Sequence, residues 1–536
     1  MTRTRPWPAA ALAAATAITF VSLSLPLVYL LQRAASIGAS DLLATLIEPA
    51  NLRVLANSAL LGIAVAAFSL LIALPLAVLT TRTDLPARRI WTVVSILPLA
   101  VPSYAGSFAL IAAFAPRGSY LQLILEPLGV TELPSIIGWP GAIAGIALFS
   151  YPYLLLTLRT GLGGIPAATE EVARSLGLSR RATFFRVVLP QLRPSLVAGL
   201  LLVALYALRD LGTPALMRVD VFTRVIYSHY TLSFDRNRAA ALALMLALMV
   251  MALLWVEART RTRAAYFSRR GAPGRPAPLI ALGRWRWPAV AFCSTVAFFS
   301  VALPAAMSAL WVWRGISSAT LPADRFARGL DVTSNSLLVS GAAAIAVIAF
   351  ALPAAILAAR APGRVTSAVE RFSYIAFSLP GIVVALALVS AGTRYFPALY
   401  QTLALLIFAC FVLFFPQGLG ATRSAILQLN PQLEESARSL GHTPWHALRE
   451  VAIPLVRPGL VTGGLLVFLT AMKELPATLM LAPPGFDTLA TRIWKATEDV
   501  YFAEAGLYAL AMIAVSGPVI LAVVRRSGWA GGEWRE

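Results

Sequence analysis

Glu170-Glu171-Val172-Ala173-Arg174-Ser175-Leu176-Gly177, running on to Pro190 and Arg193-Pro194, returns 264 positions later as Glu434-Glu435-Ser436-Ala437-Arg438-Ser439-Leu440-Gly441, running on to Pro454 and Arg457-Pro458. The two copies align without a gap, and each is a polar stretch set between long apolar runs. A polar segment kept twice in an apolar chain reads as a docking surface used twice.

Working outward, the repeat extends well beyond this motif. Asn57-Ser58 matches Asn335-Ser336, Leu74-Pro75 matches Leu352-Pro353, and Val101-Pro102 matches Leu379-Pro380, all 278 positions apart. Tyr151-Pro152 matches Phe415-Pro416 at 264, so the offset changes where the first half carries a longer loop, 115–137. The chain is a duplication from near its start to near its end.

Composition says what kind of duplication. Of 536 residues 59% are hydrophobic and 13% charged, with mean hydropathy +0.77. Soluble proteins carry about 25% charged residues. Apolar runs of about 20 residues, enough to cross a bilayer as a helix, recur throughout. No alternating strand pattern with aromatic girdles suggests a membrane barrel. The expected fold is all-α and integral to the membrane, with about 12 spans. Six lie in the first half, at 9–31, 54–80, 90–115, 138–158, 195–217 and 239–256. Six follow in the second, at 288–313, 335–359, 372–391, 398–419, 459–482 and 503–524. The Arg-, Pro- and Gly-rich stretch 257–287 reads as a linker between repeats at 1–256 and 288–536. An even number of spans per half makes the repeats parallel. The apolar part of the first span is too long for a signal-peptide core, so it is expected to stay uncleaved.

The net charge of +20 would suggest nucleic acid in a soluble protein. Here it reports topology, and no nucleic-acid partner is expected. With the N-terminus cytoplasmic, the cytoplasmic segments hold about two thirds of the Lys and Arg, as positive-inside topology requires. Both termini and both copies of the motif then face the cytoplasm. Within each motif a short helix is expected to end at Gly177 or Gly441 in a left-handed cap. Pro431 after Asn430 marks the start of the second helix, and Pro166 that of the first. Ala173 and Leu176, like Ala437 and Leu440, are spaced to share one helix face.

Glu-x-Ala-x-x-x-Gly, followed at fixed spacing by an aliphatic-Pro, resembles the EAA loop of ABC importer permeases. It spans Glu171 to Pro190 and Glu435 to Pro454. The resemblance covers nearly the whole chain and implies the type I importer fold. It also implies that each loop inserts a coupling helix into a cleft of an ABC ATPase subunit. The implied coupling residues are Glu170, Glu171, Ala173, Leu176, Gly177 and Pro190, with Glu434, Glu435, Ala437, Leu440, Gly441 and Pro454. Two fused halves, with Met472-Lys473-Glu474-Leu475-Pro476-Ala477-Thr478 and Gly485-Phe486-Asp487-Thr488, are similar to ferric-iron permeases; fused thiamine permeases are the near alternative. The partners implied are two ATPase subunits, a periplasmic solute-binding protein and the bilayer of the bacterial inner membrane.

The chain has no Gly-Lys-Ser/Thr, hence no phosphate-binding loop, so ATP and Mg are expected on the partner and no cofactor on this chain. It holds no constellation for catalysis. Cys293 and Cys410 read as packing residues. His442 and His446 have a ligand-like spacing interrupted by Pro444, and no metal site is expected from them.

Arg209-Asp210 and Lys473-Glu474 correspond by the repeat and lie deep in the fifth and eleventh spans. Charges at such depth face a partner or a wet cavity, either as a brace or in gating and substrate passage. The rival class is an ion-coupled secondary transporter using Asp210 and Glu474 as coupling carboxylates. The duplicated loop has no use in such a carrier.

Overall fold

The computed structural model describes residues 9–233, 235–260, 279–360, 379–429 and 431–526. Among these the regular elements are helical, apart from one isolated parallel bridge between Thr83 and Ile280. Among the described residues ten helices are long and apolar enough to cross a membrane, and an eleventh candidate is the pair Arg88–Ala100 and Ser103–Phe114, bent by 98°.

That bend follows from Pro102, which holds an extended backbone (ψ 140°) immediately before Ser103–Phe114. Its repeat partner Pro380 does the same (ψ 150°) before Gly381–Tyr395. This helix is shorter than a full span. The ninth span expected from sequence, 372–391, begins on 372–378, outside the described residues.

The fifth and eleventh spans are shorter than their apolar composition suggested. Leu189–Arg209 ends where 195–217 was expected to continue, and Ile453–Met472 ends ahead of 482. Short helices follow each break, Gly212–Leu216 and Pro476–Leu481. Proline supplies no N–H to the ladder. The Asp210 carbonyl, which Pro214 cannot serve, accepts instead from the Thr223 hydroxyl at 2.7 Å. Both spans also begin with a π-turn ahead of their proline: Phe184–Val188 before Pro190, and Leu448–Ala452 before Pro454.

The described residues form two compact units, neither continuous in sequence. One comprises Met1–Thr45, Ser233–Ala247 and Ala327–Arg492; the other comprises Leu46–Leu232, Leu248–Phe326 and Ile493–Glu536. In the unit bearing the first motif, Pro49–Arg82, Trp139–Gly163 and Leu189–Arg209 pack together around buried Leu61, Val65, Leu154, Leu158 and Val203. In the other unit Leu403–Gln428 lies along Ile453–Met472. Small residues set both crossings. A Cβ on Gly199 would collide with Thr157, and one on Gly463 would meet Ala421 at 2.8 Å. Close backbone approach of this kind is a common way for helices to associate within lipid.

Candidate coupling site

Each motif folds as a nine-residue helix, Ala167–Ser175 in the first half and Pro431–Ser439 in the second. Gly177 and Gly441 adopt φ of +88° and +92°. In the first copy the Gly177 N–H donates to Arg174 C=O (3.0 Å) and the Leu178 N–H to Ala173 C=O (3.2 Å). The second repeats this, Gly441 to Arg438 (3.0 Å) and His442 to Ala437 (3.3 Å). These paired bonds make a Schellman cap, which needs the left-handed residue that glycine supplies. Asn430, expected to cap the start of the second helix, lies outside the described residues.

Burial divides each motif into an inner and an outer set. Ala173 and Ala437 are buried, whereas Leu176 and Leu440 are 78% and 80% exposed. The expectation that Ala and Leu share a face is thereby corrected. Residues three apart on a helix lie about 60° apart around its axis, and the edge of the buried face runs between alanine and leucine in both copies. Val172 and Phe185 in the first copy, and Leu433 and Trp445 in the second, are also exposed. Both copies therefore present large apolar side chains around an exposed acid, Glu171 or Glu435. Unpaired apolar surface rimmed by charge is the signature of a protein-binding face.

The other acid of each pair turns inward. Glu170 meets Arg82, the last residue of Pro49–Arg82, at 3.0 Å. Glu434 meets Arg360, the last residue of Ala323–Arg360, at 2.7 Å. Arg82 also donates to the carbonyls of Leu162 (2.7 Å) and Ile165 (3.4 Å), at the end of Trp139–Gly163. The two arginines stand 278 positions apart, in register with Leu74-Pro75 and Leu352-Pro353. Sequence reading counted them only as topology charge; their shared register was the available signal.

The intramembrane acids find donors within their own halves. The Thr213 N–H donates to Asp210 at 3.1 Å, and the Ala477 N–H, at the equivalent position, to Glu474 at 3.2 Å. Asp210 also lies within reach of the Ser103 hydroxyl, at the first residue of Ser103–Phe114. Glu474 packs directly on Gly381, the first residue of Gly381–Tyr395. Each carboxylate thus sits at the positive end of a broken helix, where an anion is favoured. Arg209 and Lys473 end or follow the preceding spans, and each has interactions of its own.

At the opposite ends of Pro49–Arg82 and Ala323–Arg360's apolar stretch, the repeated Asn-Ser pairs act as clips. Asn57 donates to Asp220 C=O (3.0 Å) and Asn335 to Asp487 C=O (3.1 Å). Ser58 accepts from the Phe222 N–H (3.0 Å) and Ser336 from the Leu489 N–H (2.7 Å). They fix the starts of Phe222–Thr231 and Leu489–Glu498. The histidine rings of His442 and His446 stack 4.5 Å apart. Among the described residues no group of three or more His, Cys, Asp or Glu could hold a metal ion.

Comparison with known proteins finds one family twice in the chain. Residues 70–259 and 351–526 each match the family described as binding-protein-dependent transport system inner membrane component. The chain is 30% identical over 502 residues to the Fe(3+)-transport system permease protein FbpB 2 of Haemophilus influenzae, covering 93% of this chain and 95% of that protein. It is 24% identical to the ferric transport system permease protein FbpB of Actinobacillus pleuropneumoniae, over 88% of this chain and 70% of that protein. The molybdenum transport system permease protein ModB of Escherichia coli matches 29% of this chain at 28% identity, covering 69% of its own length. Two family matches, one over each copy of the motif and the spans around it, identify the chain as a member of the binding-protein-dependent transport permease family, a multi-pass membrane subunit of an ABC importer that itself catalyses no reaction.

Proposed function

We propose that this chain is the transmembrane permease of a ferric-iron importer, with twelve spans in two parallel six-helix repeats, 1–256 and 288–536, joined by a cytoplasmic linker at 257–287. Both termini face the cytoplasm, and the protein resides in the bacterial inner membrane. A periplasmic solute-binding protein delivers substrate, and two ABC ATPase subunits, each engaging one docking helix, drive alternating access. The observation that carries the reading is the duplicated motif, with exposed Glu171 and Leu176 in one copy and exposed Glu435 and Leu440 in the other. A chain with two such faces and no phosphate-binding loop suits an engine supplied from outside. Similarity along nearly the full length to a permease named for Fe(3+) transport supports the substrate.

On this reading Glu171, Glu435, Leu176 and Leu440 touch the ATPase, while Ala173, Ala437, Gly177 and Gly441 shape the helix that carries them. Pro190 and Pro454 set the bend at which the docking loop becomes a span. Asp210 and Glu474 brace the broken helices beside the pathway, with Arg209 and Lys473 alongside. Reconstituting the permease with its ATPase and binding protein in vesicles tests this. Uptake of ferric iron that requires ATP and ignores an uncoupler is expected. Uptake that needs no ATPase and collapses with the uncoupler would establish the secondary carrier instead, and ATP-driven uptake of thiamine but not iron would reassign the substrate.

A further inference from the structure

Glu170 and Glu434 turn inward beside the exposed Glu171 and Glu435. Each is tied by one arginine to the last turn of a long span, Arg82 to Glu170 and Arg360 to Glu434. We propose that Arg82 and Arg360 are positioning residues for coupling: each makes its docking helix and the second span of its own half move as one body. The inference deepens the docking role proposed above and rests on it.

Three observations carry it. The ion pair occurs in both halves at corresponding positions, although both offsets of the repeat, 278 for the arginine and 264 for the glutamate, must be respected to produce it. The docking helices have only nine residues, too few to hold themselves, and the caps fix only their C-terminal ends. A force applied at Glu171 or Leu176 therefore reaches a span through whatever else grips the helix. Finally, the side chains of the four charged residues are at most 24% exposed, so water and salt screen the pairs weakly. In the first half the guanidinium also holds Leu162 and Ile165 C=O, so it ties the docking helix to a second span as well. A guanidinium has the five donors and fixed fork that such a junction needs; an ammonium does not.

The test is a ratio, solute transported per ATP hydrolysed, in vesicles holding the full permease with its ATPase and binding protein. Arg82→Gln and Glu170→Gln are each expected to lower that ratio by about fivefold or more, the lower end of coupling between sites, with the ATPase still co-purifying. The charge-exchanged pair Arg82→Glu with Glu170→Arg should recover at least half of the loss. Arg82→Lys should fall between wild type and Arg82→Gln, because it keeps the charge and loses the fork. Single variants with a wild-type ratio overturn the proposal. So does an exchanged pair no better than the worse single, whether it fails in assembly or in transport. Failure of the underlying reading shows elsewhere, in a wild-type permease that neither retains an ATPase nor transports with ATP.

Discussion

Arg82 and Arg360 pair with acids on corresponding motif helices, Ala167–Ser175 and Pro431–Ser439, in different surroundings. Arg82 reaches a carboxylate and two carbonyls, and its own carbonyl accepts from the Ile280 N–H at 2.8 Å. Leu279 and Ile280 line the same groove as Arg82 and Glu170. Arg360 pairs with Glu434 inside an apolar packet of Ile356, Ile426, Leu429, Leu448 and Val456. The Glu434 side chain is 9% exposed and that of Glu170 24%. The duplication has kept the pair and changed what secures it: several hydrogen bonds in the first half, exclusion of water in the second.

The largest expected effect separates these two supports. Arg360→Gln strands the Glu434 carboxylate among aliphatic side chains, and should cost about 3 kcal/mol, the low end for a broken buried pair. Arg82→Gln leaves Glu170 with some access to water, and should cost roughly half as much. Thermal melting of the purified permease in detergent reads both. Melting temperatures that fall in the opposite order would show that Arg82's carbonyl bonds, and not burial, dominate the stability of these junctions.

Much of this architecture was legible in the chain, and the rest was hidden for identifiable reasons. The repeat, the left-handed glycines and the polar loops follow from residues whose chemistry allows few roles. The ends of the fifth and eleventh spans do not, because Leu211, Ala215 and Leu475 continue the apolar composition past the breaks at Arg209 and Met472. Hydropathy averages over the one carbonyl that Pro214 leaves unserved. Leu176 has the spacing of a face-mate of Ala173, but the 3.6-residue period does not say where a buried face ends, and here it ends between them. Arg82 and Arg360 were invisible as partners because the acids they meet lie in another loop, at another repeat offset.

Replacement of the capping glycines comes next in size and should be indifferent to the half. A Cβ on Gly177 or Gly441 meets nothing within 4 Å, so only backbone conformation resists it. Gly177→Val and Gly441→Val should each lose about 1–2 kcal/mol, the cost of a left-handed side-chain residue. Both should lower transport per ATP by similar factors, because the cap sets the direction in which the chain leaves each motif helix. Wild-type transport and ATPase stimulation in both variants would remove the caps from the coupling path. A loss confined to one would mean that only one docking helix bears the stroke.

The smallest effect asks whether the linker helps to hold the first docking helix or merely passes it. Ile280 donates to Arg82 C=O and accepts from the Asp84 N–H at 3.2 Å, while the Leu282 N–H reaches the Asp84 carboxylate at 2.8 Å. Ile280→Pro removes the first of these bonds and leaves the other two acceptors in place. One hydrogen bond is worth about 1 kcal/mol net, and this one joins main chain to main chain, away from the guanidinium. The variant should therefore melt only slightly below wild type and keep its transport per ATP. If instead the ratio falls as far as in Arg82→Gln, the linker is a working part of the first junction. The two halves would then differ in mechanism as well as in surroundings, since the first helix would be gripped partly by the segment that joins the repeats.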